Sequence, residues 1–166
     1  MADIALRPVT RDNWLEAIAL KGSEDQQAFV PSVAVSLAKV YIKPDGERVE
    51  YLPFAVYAGE TMVGFVMHAF EPGTSDSYWI NGFLIDAAHQ RRGYGTAAMD
   101  RMIAFIRERA PACREIRLTV HLDNAAAERL YARFGFRRTG QIWGDERVMS
   151  LREDEPALAS GIGPRE

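Results

Sequence analysis

The stretch Gln90-Arg91-Arg92-Gly93-Tyr94-Gly95, running into Thr96, Ala97, Ala98 and Met99, constrains this chain more than any other part of it. An apolar run from Tyr78 to Ile85 precedes it and reads as a strand. Apolar residues at Met99, Met102, Ile103 and Ile106 follow at the i, i+3, i+4, i+7 spacing of one buried helix face. The glycines therefore mark a sharp passage from strand to helix. Gly93 and Gly95 let the backbone take unusual dihedrals and approach a ligand closely. The first turn of the helix offers unpaired N–H groups at the positive end of the dipole, an anion site. Arg91 and Arg92 add guanidinium forks suited to phosphate oxygens. A phosphate-bearing ligand, best a pyrophosphate, suits this stretch; a tight turn with two solvated arginines is the plainer alternative.

Two other nucleotide motifs do not apply. The Walker string Gly-x-x-x-x-Gly-Lys-[Ser/Thr] is absent. The dinucleotide fingerprint is met only in a variant form, with Ala98 three residues after Gly95, and its surroundings do not read as an opening βαβ unit.

At 166 residues the chain is long enough for one domain with a real core, expected over residues 1–152. The tail 153–166, with Glu-Asp-Glu-Pro and Ser-Gly-Ile-Gly-Pro, is expected to be disordered. A net charge of −3 argues against a sequence-independent grip on nucleic acid. Cys113 is the only cysteine, so no internal disulfide or cysteine-rich metal site is available, and a small filler near a helix end is its expected role. With no signal-like start and no apolar run of membrane-spanning length, a soluble cytoplasmic protein is expected.

Along the chain, residues 4–9 alternate as a first strand. Thr10 can cap a helix with Trp14, Leu15, Ile18 and Ala19 among its apolar positions. The segment 21–30, with Glu24-Asp25-Gln26-Gln27, reads as an exposed turn or short helix. Pro31-Ser32 opens another helix, with Val33, Leu37, Val40 and Tyr41 expected on one face. Strands follow at 52–57, 62–70 and 78–85, an expected antiparallel meander. After the central helix, stopped by Pro111, come a strand at 115–121 and a helix capped by Asn124 and ended by Gly135. Ala127, Leu130, Tyr131 and Phe134 share the buried face of that helix. A hairpin over 136–151, turning at 143–146, closes the chain.

Gln-x-x-Gly-x-Gly on a strand–helix passage, followed roughly thirty residues later by Asn124-x-x-Ala127-x-x-Leu130-Tyr131-x-x-x-Gly135-Phe136, resembles the GNAT superfamily of acyl-CoA-dependent N-acetyltransferases. The resemblance covers residues 4–151. It implies an α/β (α+β) fold: a mixed, mostly antiparallel central sheet, helices on both faces, and a splayed strand pair that receives acetyl-CoA. Acetyl-CoA is then the co-substrate, with no metal. By the same resemblance, the backbone of Phe83, Leu84 and Ile85 would pair with the pantetheine arm. The amides of Arg91, Arg92, Gly93, Tyr94, Gly95 and Thr96 would hold the pyrophosphate, with Gln90 at the head of the loop. Asn124 and Ala127 would line the arm, and Tyr131 would point its hydroxyl at the thioester sulfur.

The reaction so implied is direct attack of an amine on the acetyl thioester. An alkylamine of pKa about 10.4 is mostly protonated at neutral pH, so a base or water chain must take a proton. A phenol of pKa near 10 suits the departing thiolate, which makes Tyr131 the candidate catalytic acid. The N–H of Leu84 or Ile85 would meet the developing oxyanion. Many polyamine-acetylating relatives carry an acidic residue near the positions of Asn81 and Gly82; here neither is acidic. A water-relayed base replaces it, or one from elsewhere. His121 is one candidate, although a half-buried strand residue is the simpler reading; Asp86 is better suited to capping the following turn.

The segment Ser23 to Ser32, with Ser36, Leu37, Ala38 and Tyr41, is similar to the bacterial spermine/spermidine acetyltransferase-like branch. It implies a small amine acceptor such as spermidine or spermine, with Glu24 and Asp25 as substrate-binding carboxylates. The alternatives are another amine, such as an antibiotic amino group or a protein N-terminus, and a non-catalytic acyl-CoA sensor. The oligomeric state is left open, a homodimer included.

Overall fold

The computed structural model describes residues 1–153; the tail expected to be disordered lies outside the described residues from 154 onward. Strand β1 (Ala5–Pro8) is followed by three helices, α1 (Trp14–Ile18), α2 (Glu24–Gln27) and α3 (Val33–Ile42). The meander β2 (Glu50–Ala58), β3 (Thr61–Phe70) and β4 (Tyr78–Ile85) leads to α4 (Tyr94–Arg109). Then come β5 (Glu115–His121), α5 (Ala125–Arg133), β6 (Arg137–Trp143) and β7 (Glu146–Arg152). The strands form one seven-stranded sheet in the order β1-β2-β3-β4-β5-β7-β6.

The two faces of the sheet carry separate apolar layers. Phe54 and Val56 of β2 face the side where Met99, Met102, Ile103 and Ile106 of α4 pack with Tyr131 of α5. Tyr51, Ala55 and Tyr57 face the side of Ala17, Leu20 and Val33. This alternation is the period of two that a strand imposes, and it places helices on both faces.

Two apolar helix runs are only partly buried. Trp14 and Leu15 are exposed, at 45% and 63%, and α1 buries Ala17 instead. A helix of five residues has barely one turn, so no periodicity was available to orient it. In α3, Tyr41 is 90% exposed and Val40 is also exposed, while Val33 and Ser36 are buried. The run Val-Ala-Val-Ser-Leu-Ala-Lys-Val-Tyr-Ile is apolar on nearly every side, so the sequence did not single out the buried stripe.

Every other strand pair is antiparallel, but β4 and β5 run parallel and are joined only at Trp79–Arg117 and Ile80–Leu118. Beyond those pairs, the ends of β4 and β5 diverge. The divergence is reinforced by a bulge in β4. Phe65 pairs with Leu84 and Met67 with Asn81, so Val66 alone opposes both Gly82 and Phe83. Gly82 has φ +60°, the left-handed conformation that such a kink requires, and a Cβ there would lie 2.6 Å from Ser36 Oγ.

Candidate active site

The β4–α4 passage sets the geometry of the site. Asp86 caps a short 3-10 turn (Ala87–His89), its Oδ1 accepting from Ala88 N–H at 3.0 Å. Arg91 at φ 63° and Gly93 at φ 80° both take left-handed backbone, and α4 begins at Tyr94. Ala97 N–H bonds the Gly93 carbonyl at 3.1 Å and closes the first turn. The amides of Tyr94, Gly95 and Thr96 come before that closure and have no partner within the helix. They converge at the positive end of a 16-residue helix, with Arg91 and Arg92 exposed beside them. Unpaired amides at a helix N-terminus form an anion site.

The main chain of β4 presents specific groups to the gap. Asp86 N–H donates to the Val63 carbonyl at 2.8 Å. By the alternation of an antiparallel ladder, Leu84 also turns its main chain toward β3 while Ile85 turns away. Of the three residues expected to pair with an extended ligand, Phe83 and Ile85 therefore face the gap and Leu84 does not; its side chain is buried on the α1/α3 side. A Cβ built on Gly95 would sit 3.7 to 3.9 Å from Ile85, Leu130 and Phe83, so β4, α4 and α5 meet at that glycine.

Gln90 stands at the head of the loop, immediately before Arg91. Its Nε2 donates to the Ile85 carbonyl at 3.0 Å and to Gln26 Oε1 at 2.6 Å, so the side chain ties the loop to the end of β4 and to α2.

From the far side of the gap, Asn124 caps α5, its Oδ1 accepting from Ala127 N–H at 3.2 Å. Gly135 ends that segment at φ 96°. Tyr131 is 8% exposed and packs edge-on against Phe136 at a centroid distance of 6.1 Å. Burial pushes its phenol well above the ordinary value, so the hydroxyl is protonated at neutral pH and is a weaker acid than a free phenol. His121 has Nδ1 accepting from Asp123 N–H at 3.1 Å. That bond leaves the ring proton on Nε2, so neither nitrogen offers a free lone pair to a substrate.

Glu24 and Asp25 both lie exposed on α2. The chain after α2 crosses to β5, where the Phe29 ring meets His121 at 4.6 Å between centroids. The final hairpin turns through Gly144 and Asp145 and carries Trp143, which packs on Trp79 of β4 at 5.4 Å. Gln26, Phe29, Trp79 and Trp143 had escaped sequence reasoning. Only their contacts across the fold mark them, apart from Gln26, whose place three residues after Ser23 is a capping-box signal.

A cavity of about 570 Å³ opens elsewhere, near the C-terminal end of α4, lined by Arg107, Arg137, Arg138 and Arg152 among others; of the residues above it includes only Gly135. Among the described residues, no group of His, Cys, Asp and Glu could hold a metal, and no helix is long and apolar enough to cross a membrane.

A sheet split between two parallel strands, with an amide-lined glycine loop at the split, is the architecture of an acyl-transfer enzyme, and the chain belongs to the acetyltransferase (GNAT) family, which it matches over residues 21–136. It is a GNAT-type N-acetyltransferase. Among its relatives is the spermine/spermidine N(1)-acetyltransferase of Bacillus subtilis strain 168, 30% identical over 152 residues, covering 88% of this chain and 96% of the relative. The fold is shared with the spermidine N-acetyltransferase of Vibrio cholerae, solved with CoA and spermine: TM-score 0.68, 17% identity, 90% of this chain and 95% of that one covered. It is shared equally with an aminoglycoside acetyltransferase solved with coenzyme A, at TM-score 0.71 and 18% identity, covering 91% and 95%.

Proposed function

We propose that the protein transfers an acetyl group from acetyl-CoA to an amino group of a polyamine such as spermidine or spermine. The observation that carries the cofactor assignment is the β4–β5 split beside the open amides of the glycine loop. An extended arm fits between strands paired at only two positions, and a pyrophosphate fits the positive helix end next to it. For the acceptor, the support is the polyamine acetyltransferase relative at 30% identity, joined to the exposed carboxylates of Glu24 and Asp25.

Bound acetyl-CoA supplies an activated thioester. The amides from Arg91 to Thr96 hold its phosphates, with the two arginines adding charge. Phe83 and Ile85 offer main-chain groups to the arm, and Asn124 and Ala127 bound it from α5. Ile85 N–H points into the gap and meets the negative charge that develops on the acetyl oxygen. Tyr131 Oη delivers its proton to the departing sulfur. No carboxylate stands at Asn81 or Gly82, and His121 has no free lone pair, so the amine's proton leaves through water.

The test is thiol release from acetyl-CoA with spermidine, spermine, a monoamine, an aminoglycoside and a serine-terminated peptide. Release with the polyamines, and a Glu24→Gln variant whose KM rises for spermidine more than for the monoamine, supports the reading. Preference for the aminoglycoside or the peptide moves the acceptor to that class. CoA binding with no release from any amine would make the protein a sensor.

A further inference from the structure

The segment between α1 and α3 is fastened to both of the strands that diverge. At its start, Lys21 N–H donates to Asp86 Oδ2 at 3.1 Å, and Ala87 N–H donates to the Lys21 carbonyl at 2.8 Å. Further along, Gln26 Oε1 accepts from Gln90 Nε2 at 2.6 Å. At its other end, Phe29 lies against His121. Asp86, Ala87 and Gln90 belong to the connection leaving β4, and His121 is the last residue of β5. The segment from Lys21 to Phe29 thus spans the two strands where they have already parted, past the last pair at Ile80 and Leu118.

We propose that this segment is a strap through which the cofactor loop and the amine site sense each other, with Gln26 and Gln90 as the positioning residues. The inference rests on the function proposed above. Neither amide is free to turn over. Gln26 Oε1 also accepts from Ser23 N–H at 3.4 Å, and Gln90 Nε2 also donates to the Ile85 carbonyl at 3.0 Å. A flip of either side chain would set like groups against each other and lose a bond to the backbone.

The placement of the pair in the chain gives it reach. Gln90 precedes Arg91, whose left-handed backbone opens the phosphate cradle. Gln26 follows Glu24 and Asp25 in the same turn of α2. A ligand that fixes the loop fixes Gln90, hence Gln26 and the carboxylates beside it. By linkage, an amine that fixes the strap tightens the loop to the same degree.

The plainer role for Gln26 is to close the capping box of its own short helix. Thermal melting and ligand coupling separate the two. CoA affinity is measured by calorimetry with and without saturating spermidine; no acetyl group is present, so nothing turns over. In the wild type, spermidine is expected to tighten CoA about fivefold or more, the lower edge of ordinary coupling between sites. Gln26→Met removes the acceptor and is expected to bring that ratio to about one. Gln26→Glu keeps an acceptor for both Ser23 and Gln90 and is expected to retain the coupling. A Gln26→Met protein that melts lower but keeps the wild-type ratio overturns the proposal, as does a wild type in which spermidine leaves CoA affinity unchanged. CoA that fails to bind the wild type overturns the proposed function itself, a result distinct from either.

Discussion

The hydroxyls of Ser36 and Tyr131 have no hydrogen-bond partner among the described residues, and they call for opposite explanations. Ser36 is 1% exposed and sits over Gly82 at the bulge, its hydroxyl without a partner. An unpaired buried hydroxyl costs about 1–3 kcal/mol of desolvation. Ser36→Ala is therefore expected to raise stability by about 1 kcal/mol with turnover unchanged, read by urea unfolding and thiol release. Tyr131 stands on the α5 face that the repeated apolar spacing had marked as buried, so its burial was legible; its missing partner was not. If its proton serves the leaving sulfur, Tyr131→Phe lowers kcat roughly ten- to ten-thousandfold. Because the hydroxyl bonds nothing in the fold, the same change should leave the melting temperature level or slightly raised. A melting loss with full activity would instead return Tyr131 to a packing role.

The element that reads most directly from the sequence is α4. Met99, Met102, Ile103 and Ile106 are all buried, as their spacing requires, and a helix of 16 residues gives that spacing room to repeat. The short elements behave differently. The five residues of α1 and the four of α2 are placed by what they touch, which is why Trp14 and Leu15 face outward and why nothing in the sequence pairs Gln26 with Gln90. In the glycine loop, strand-to-helix order and the need for positive φ were both legible, but the side chain of Gln90 turned out to brace the loop. The loop makes a clean prediction. A Cβ at Gly95 meets only ordinary contacts, so Gly95→Val should fold normally while its branches crowd the junction of Phe83, Ile85 and Leu130. CoA affinity is expected to fall tenfold or more by calorimetry, with the melting curve little changed.

At the scale of the molecule, the succession of strands and helices followed from alternation and turn chemistry, whereas the helices on both faces and the divergence of β4 from β5 were implied only by family resemblance. The layer under α4 also holds a titratable group. His68 is 3% exposed, its Nδ1–H donating to the Trp79 carbonyl at 2.9 Å, and its ring stacks on Phe70. Burial lowers its pKa to about 4 from 6.5. The neutral ring is native, so the stabilisation is whole above pH 6.5 and is lost as pH falls toward 4. The scale of that loss is on the order of 3 kcal/mol. Glu115 titrates in a lower window: burial opposes its charge, but bonds from Arg117 and Ser150 prevail and hold its carboxyl below the ordinary value. Urea unfolding between pH 7 and 5 should thus isolate His68, and His68→Phe should flatten the dependence there. The seam between β4 and β5 also has a consequence for the order in which the chain folds. Strands β1 to β4 and the group β5, β7, β6 each associate through antiparallel pairs, but the two groups meet through a parallel contact two residues long, across the whole of α4. Closing that connection costs loop entropy with few ladder bonds in return, so the halves should form early and zip together last. Native-state hydrogen exchange is expected to find the same line from the other direction: amides along the inner edges of β4 and β5 exchange before those shared by β2 and β3, and bound CoA slows them selectively. The split that admits a ligand is also where the sheet first comes apart.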